Sequence, residues 1–371
     1  SIGKGPSAAA DGTGAIGGIV RARTLNAGDI IAPGGTWGVV VRGGLSGNSA
    51  SPPEAATIGG NEPAVRNYNR PDPFDLRGKN GSVTAAYHSE MIDVIVGRAE
   101  RDNGNYFAGE SGLDPSSWKG GAHPFTYGEQ VTNTSMDNTS HLLRTVLRPN
   151  ENHTLDLSYM RYESLFGEMK PSQLMWADTA YQTTSEVEVD TYTARYRYKP
   201  ENSLIDLHAD LWATNVDSFN VDPIRDIWAN EDMFAATLSK RWGVTVFNTS
   251  RFAGDAGDLA VSYGFAHDQE DFGKSKSWDS LNAQYPGRAW DNLRAGWRRQ
   301  DSYFGNVEYK PEQWVTLTAG LRHIDSTVQD ENPGISWVQE KRLNRDEGSG
   351  WAPSFSALVE PVQGIQFYGR Y

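Results

Sequence analysis

At 371 residues the chain has room for two or three ordinary domains, or for one large all-β one. Its net charge of −13 argues against nucleic acid as a partner, because that binding rests on Lys and Arg neutralising phosphates. Charged residues are 22% and hydrophobic ones 38%, and no apolar run approaches the ~20 residues a spanning helix needs, which excludes a helical membrane protein. A membrane barrel stays open, since only every second residue of its strands meets lipid, and 16 Tyr and 12 Trp suit interfacial girdles. The lack of cysteine excludes a disulfide scaffold and thiolate metal sites without choosing a compartment. The chain opens at Ser1 without a leader pattern and stops at Tyr371 within an alternating strand, as we expect of an internal fragment.

Residues 1–35 are rich in Gly and Ala, with one short apolar strand near Ile16–Val20. Gly17 and Gly18 allow close backbone approach in a tightly packed unit. From Trp37 the pattern becomes strand, short turn, strand, long polar stretch, and it continues to the end. The hairpin at Tyr192–Leu211 shows the plan. Tyr192, Ala194, Tyr196 and Tyr198 share one face of the first arm, and Thr191, Thr193, Arg195 and Arg197 the other. On the second arm Ile205, Leu207, Ala209 and Leu211 oppose Asp206, His208 and Asp210. Between the arms we expect a five-residue turn holding Pro200, which cannot donate to a ladder. Other short turns fall at His88–Glu90, Pro149–Asn152, Ala253–Gly257, Pro311–Gln313 and Pro361–Gly364. Long stretches run about 47–77, 103–137, 165–188, 217–230, 271–298 and 328–350.

Parity decides the architecture. Of about 13 strands from Trp37, every short turn follows an even one and every long stretch an odd one. Outer-membrane barrels have this asymmetry, with short periplasmic turns and longer extracellular loops. A sandwich or propeller has no reason to alternate loop length so strictly, and a solenoid would show one fixed period. The expectation is therefore an all-β, transmembrane antiparallel barrel over residues 36–371, whose remaining strands lie outside this sequence.

Lys4-Gly5-Pro6-Ser7, then Gly14-Ala15-Ile16-Gly17-Gly18-Ile19-Val20 and Arg23-Thr24, resembles the end of the plug domain of TonB-dependent receptors. Within that resemblance Lys4, Gly5, Pro6, Gly14, Gly17 and Gly18 carry the plug motif, and residues 1–35 form the plug's C-terminal end. Ala22–Asn26, Gly167-Glu168-Met169, Glu188–Tyr192 and Asn248–Phe252 are similar to the haem and haemoglobin receptor branch, including HasR-like receptors. The resemblance implies a barrel of about 22 strands in the Gram-negative outer membrane. It implies no resident cofactor, haem or a ferric chelate as transported ligand, and TonB as energy source. Expected partners are outer-membrane lipid, a haem-carrying protein or a ferric siderophore, with no enzymatic activity. The branch's haem histidines, like the TonB box, fall before Ser1 or after Tyr371 and map onto no residue here.

Candidate ligand contacts are His123, which neutral imidazole chemistry suits to haem iron, with Tyr106, Phe107 and Trp118 in the same long stretch to cover a porphyrin. Trp278, Trp290 and Trp297 stand in the fifth long stretch among Lys and Arg. Both groups also read as ordinary loop packing. Arg144, Arg195, Arg197, Asp206, His208 and Asp210 are expected on the lumen side, forming ion pairs or meeting the plug. No carboxylate pair stands beside a nucleophile or metal cluster, and Phe272-Gly273-Lys274-Ser275 lacks the upstream Gly of a phosphate loop. A ferric-siderophore receptor and a passive porin are the alternative functions, and the porin leaves Lys4–Thr24 unexplained.

Overall fold

The computed structural model describes residues 2–4, 18–20, 23–52, 67–111, 127–168, 183–222, 233–287, 295–331, 345–362 and 364–370. The chain begins with two short strands, β1 (Ile2–Lys4) and β2 (Gly18–Val20), paired antiparallel from Ile2↔Val20 to Lys4↔Gly18. After a 3-10 turn at Ala27–Asp29 come β3 (Trp37–Ser46), β4 (Gly78–His88), β5 (Ile92–Asn103), β6 (Met136–Asn150) and β7 (His153–Phe166). Then follow β8 (Ser185–Tyr198), β9 (Leu207–Asp222), β10 (Met233–Gly254), β11 (Gly257–Lys274) and a short helix α1 (Trp278–Gln284). β12 (Gly296–Glu312), β13 (Val315–Asp330), β14 (Arg345–Val362) and β15 (Ile365–Arg370) complete the set. β3 to β15 form one 13-stranded sheet in which each strand lies beside its sequence neighbours, every pair antiparallel. Short turns follow β4, β6, β8, β10, β12 and β14, and long connections follow the odd strands, as the sequence pattern predicts.

The sheet has two chemically different walls. The inner wall is the one on which residues 23–31 lie: Ala27 and Ile30 pack with Ala86 and Ile95, and with Leu142 beside them. The register carries this parity across the sheet. On the opposite, outer wall stand Leu157, Tyr192, Leu211, Val246, Tyr263 and Leu317, each at least 38% exposed despite its apolar side chain. Two apolar grooves run along that wall, one lined by Val307, Leu317 and Phe355, the other by Leu143, Leu157 and Leu211. A contiguous apolar surface of this kind needs a partner phase, and acyl chains supply it.

The outer wall changes character toward the long loops. Above Tyr159 and Tyr192, the outward positions become Arg161 and Asp190, then Glu163 and Glu188. Arg161 reaches Glu163 at 2.6 Å, Glu188 at 3.2 Å and Asp190 at 3.6 Å. A tilted strand crosses hydrocarbon in ~9–11 residues. β10 has 22 and β11 has 18, so the sheet continues past the apolar band on the long-loop side.

The turn between β8 and β9 is longer than the sequence suggests. Tyr198 pairs with Leu207, leaving 199–206 outside the ladder, so Ile205 and Asp206 belong to the turn. Asp206 is the reason. Its N–H donates to Asn248 Oδ1 at 3.0 Å, and its carboxylate, 2% exposed, accepts from Arg197 (2.8 and 3.0 Å) and Arg251 (2.8 Å). Burial raises the pKa of this group most, but the two guanidiniums together outweigh burial and hold the carboxyl far below its ordinary range.

Two outcomes follow from this architecture. Leu211→Arg in the complete barrel should destabilise it by about 2–4 kcal/mol in urea unfolding from lipid bilayers, whereas Thr193→Arg on the inner wall should cost far less. Asp206→Asn should cost about 1–3 kcal/mol at neutral pH, toward the lower end because Arg197 and Arg251 are half exposed. Because the folded carboxyl has the depressed pKa, its contribution is complete above the ordinary value of 3.8 and is lost as pH falls toward the folded one. Unfolding curves of parent and variant should therefore converge only in acid.

Candidate functional site: the inner wall and the loop mouth

Side chains that face inward come from alternate positions of β6 to β13, so a period of two, and no local motif, assembles this surface. Arg144 on β6 is 12% exposed and holds Asp156 of β7 through two bonds, at 2.9 and 2.7 Å. Its remaining nitrogen donates to Leu25 O at 2.9 Å and Asn26 Oδ1 at 2.5 Å. Arg195 stands opposite Asp210 in the register, and Arg197 opposite His208. His208 Nε2 lies 3.1 Å from Asp206 Oδ1, and its ring stacks parallel on Phe247 at 4.6 Å.

The inner wall holds further groups that sequence reasoning missed. Arg241 pairs with Asp268 at 2.9 Å and lies over the Trp212 ring at 5.2 Å. Arg322, 6% exposed, donates to Ser302 Oγ at 2.7 Å and lies over Phe304 at 5.1 Å. The alternating pattern of its strand puts Arg322 on the lumen side, and what that pattern leaves out is the contact with Phe304. Counting parity from Arg195 through the paired strands places Trp212, Arg241 and Phe304 on this wall, so the signal was present.

At the long-loop end the first three long connections are pinned to one another by amide side chains. Asn67 Nδ2 donates to Gln130 Oε1 at 2.7 Å, and Gln130 Nε2 to Ser51 O at 3.2 Å. Thr134 N donates to Asn105 Oδ1 at 3.0 Å, and Thr183 N to Asn133 Oδ1 at 2.7 Å. Asn105, Gln130 and Asn133 are buried, and Asn133 takes a positive φ of 60° that its short polar side chain tolerates. Buried amides satisfied in this way rigidify the loops that carry them. Nothing in the sequence singles out these Asn and Gln residues from solvated ones.

The expected ligand contacts among the described residues differ in where the structure places them. Phe107 is 2% exposed, and its backbone N–H and C=O are both taken by the Asn48 amide, at 3.4 and 3.2 Å, so its ring is packing. Tyr106 beside it is exposed. Trp278 is 5% exposed and packs on Phe234 at 5.7 Å, with Lys274 Nζ over its ring at 4.6 Å, because α1 folds down onto the ends of β9 and β10. Trp297 is a residue of β12, paired with Asp271 and Gln329 on the parity of Tyr303, which places it on the outer wall. The strand starts at Gly296, earlier than the polar run suggests, and so takes Trp297 out of the loop. Trp118, His123 and Trp290 lie outside the described residues, as do Gly5, Pro6, Gly14 and Gly17. Lys4 and Gly18 face each other across β1–β2. Among the described residues no group of three His, Cys, Asp or Glu side chains is placed to hold a metal ion.

Residues 126–371 match the family described as TonB dependent receptor-like, beta-barrel. A curated relative, the hemophilin receptor of Acinetobacter baumannii, is 28% identical in an alignment covering 98% of this chain and 38% of that protein. The hemophore receptor HasR of Serratia marcescens, solved with its hemophore HasA and heme, superposes with a TM-score of 0.64 at 20% identity, over 100% of this chain and 50% of that one. The FrpB iron transporter of Neisseria meningitidis, in its apoprotein form, gives 0.67 at 15% identity over 100% and 50%. This chain thus spans well under two thirds of each of these proteins, and the two structural likenesses speak to fold. With the 13-stranded antiparallel meander, its apolar outer wall and the family match over residues 126–371, the chain belongs to the TonB-dependent receptors and forms part of their outer-membrane β-barrel.

Proposed function

We propose that the protein takes up haem, free or delivered by a haem-carrying protein, across the Gram-negative outer membrane with energy from TonB. The observation that carries this reading is the similarity to the hemophilin receptor, which extends over 98% of the chain and so covers inner wall, outer wall and loop mouth alike. HasR, whose structure holds heme and a hemophore, supports the same architecture for such a task. In this reading haem is cargo, and no resident cofactor or chemical step is required of the chain.

Each part of the structure has a place in the proposal. The apolar outer wall holds the receptor in the bilayer. The loop mouth, stiffened by Asn67, Asn105, Gln130 and Asn133, presents a preorganised surface, so capture costs little ordering entropy. The ion-paired inner wall, with Arg144–Asp156 and Arg241–Asp268, faces the plug with groups that already have partners, which limits the friction a moving plug meets. Haem iron would be held by residues outside the described set, and Tyr127 is the exposed described aromatic closest in sequence to the candidate His123, with Tyr106 exposed farther upstream.

The complete receptor, expressed in an iron-starved Gram-negative strain lacking its own haem receptors, should support growth on haem or haemoprotein as sole iron source, and only when TonB is present. Growth on ferric siderophores alone would move the substrate to the alternative class. Growth independent of TonB would contradict energised transport.

A further inference from the structure

The contacts of Arg144 reach beyond the barrel wall. One face of its guanidinium is committed to Asp156, on the next strand, and the other holds Leu25 O and Asn26 Oδ1. The segment it holds is itself well tied. Asn26 N–H donates to Asp29 Oδ2 at 2.8 Å, closing the Ala27–Asp29 turn, and Arg23 grips the same carboxylate at 2.7 and 3.1 Å. The Arg23 bond, followed by the Asn26 N–H, lowers the Asp29 pKa to about 2, so the turn stays ionised at any physiological pH. Ala27 and Ile30 are buried against Ala86 and Ile95, the latter 1% exposed. Gly38 completes the seat: a Cβ there would stand 2.6 Å from Ile30 O, so the backbone of the segment lies directly on β3.

The geometry points to Arg144 as a positioning residue that fastens residues 25–31 to the barrel wall, so that the moving part of the plug ends near Arg23. Resting on the transport reading for the source of the force, the inference makes the segment a fixed end. Tension on the chain from the periplasmic side then reaches the Arg144 clamp and the Ile30 seat and goes no further. Substrate passage must be opened by rearrangement of residues upstream of Arg23, and whole-plug release with this linker is excluded. Arginine suits that task because its bidentate pair with Asp156 fixes the guanidinium while the remaining Nη1 donates to both Leu25 O and Asn26 Oδ1, and Lys cannot reproduce both sides.

Two measurements on the complete receptor test it. In isolated outer membranes, a cysteine at Ala27 should react slowly with a maleimide in the parent background and roughly tenfold faster when combined with Arg144→Lys, which keeps a charge for Asp156 but loses the bridge. Gly38→Ala, which leaves the ion pair untouched, should expose it similarly, while a cysteine at Asn202 in a different turn keeps its rate in both variants. Equal Ala27 labelling in parent and variants would overturn the clamp. In cells, an Ala27→Cys/Ala86→Cys receptor joined by a short thiol cross-linker should transport within about twofold of the unjoined form. Transport lost on joining and regained with a cleavable linker would show that the segment must leave the wall, and would also overturn the proposal. A cysteine-free receptor that takes up no ligand would instead count against the transport reading, and the labelling rates would then decide the clamp alone.

Discussion

A backbone amide in hydrocarbon has no water to bond, and this constraint shapes everything else in the molecule. Each of the 13 strands pairs antiparallel with its sequence neighbours, from β3–β4 to β14–β15. Once the backbone is committed to a ladder, side chains must alternate between the two walls, and the sequence follows with Leu, Val and Tyr outward and Arg, Asp, Ser and Thr inward. The same alternation lets a chain of negative mean hydropathy, −0.57, cover a membrane-facing surface. The polar half of every strand is available for the interior.

Charges turned inward are then not free to be left alone. Arg144–Asp156, Arg197–Asp206–Arg251 and Arg241–Asp268 link adjacent strands, or a strand to a turn, and Arg144, Asp156 and Asp206 sit where desolvation makes an unpaired charge costly. The pairs also shape the chain locally. Asp206 sets the length of the β8–β9 turn, and Arg144 sets where the linker ahead of β3 lies. Electrostatics on the inner wall therefore specifies geometry at least as much as it adds stability.

Much of this was legible in the sequence because the period is short and the turns are marked. The number of strands, the alternation of short and long connections, and the inward placement of Arg144, Arg195, Arg197, His208 and Asp210 all follow from parity between turn signals. What was not legible depends on contacts between residues far apart in the chain. Asp206 reads as a strand residue until Arg251, some forty-five positions away, pulls it into the turn. Trp278 and Phe107 read as available loop aromatics, yet a helix folding onto β9–β10 and an amide reaching from Asn48 bury them. Trp297 was lost to a strand that begins before its polar run ends. Loop aromatics thus carry little functional information until the loop's own packing is known.

The two-wall arrangement is tested most directly by spin labels placed singly along β11, from Leu259 to Ala266, in the complete receptor in lipid bilayers. The register predicts that oxygen dissolved in the bilayer reaches labels at Leu259, Val261, Tyr263 and Phe265, while Ala260, Ser262, Gly264 and Ala266 are shielded from it. A flat profile, or maxima at Ser262 and Gly264, would contradict a wall with lipid on one side and a filled pore on the other.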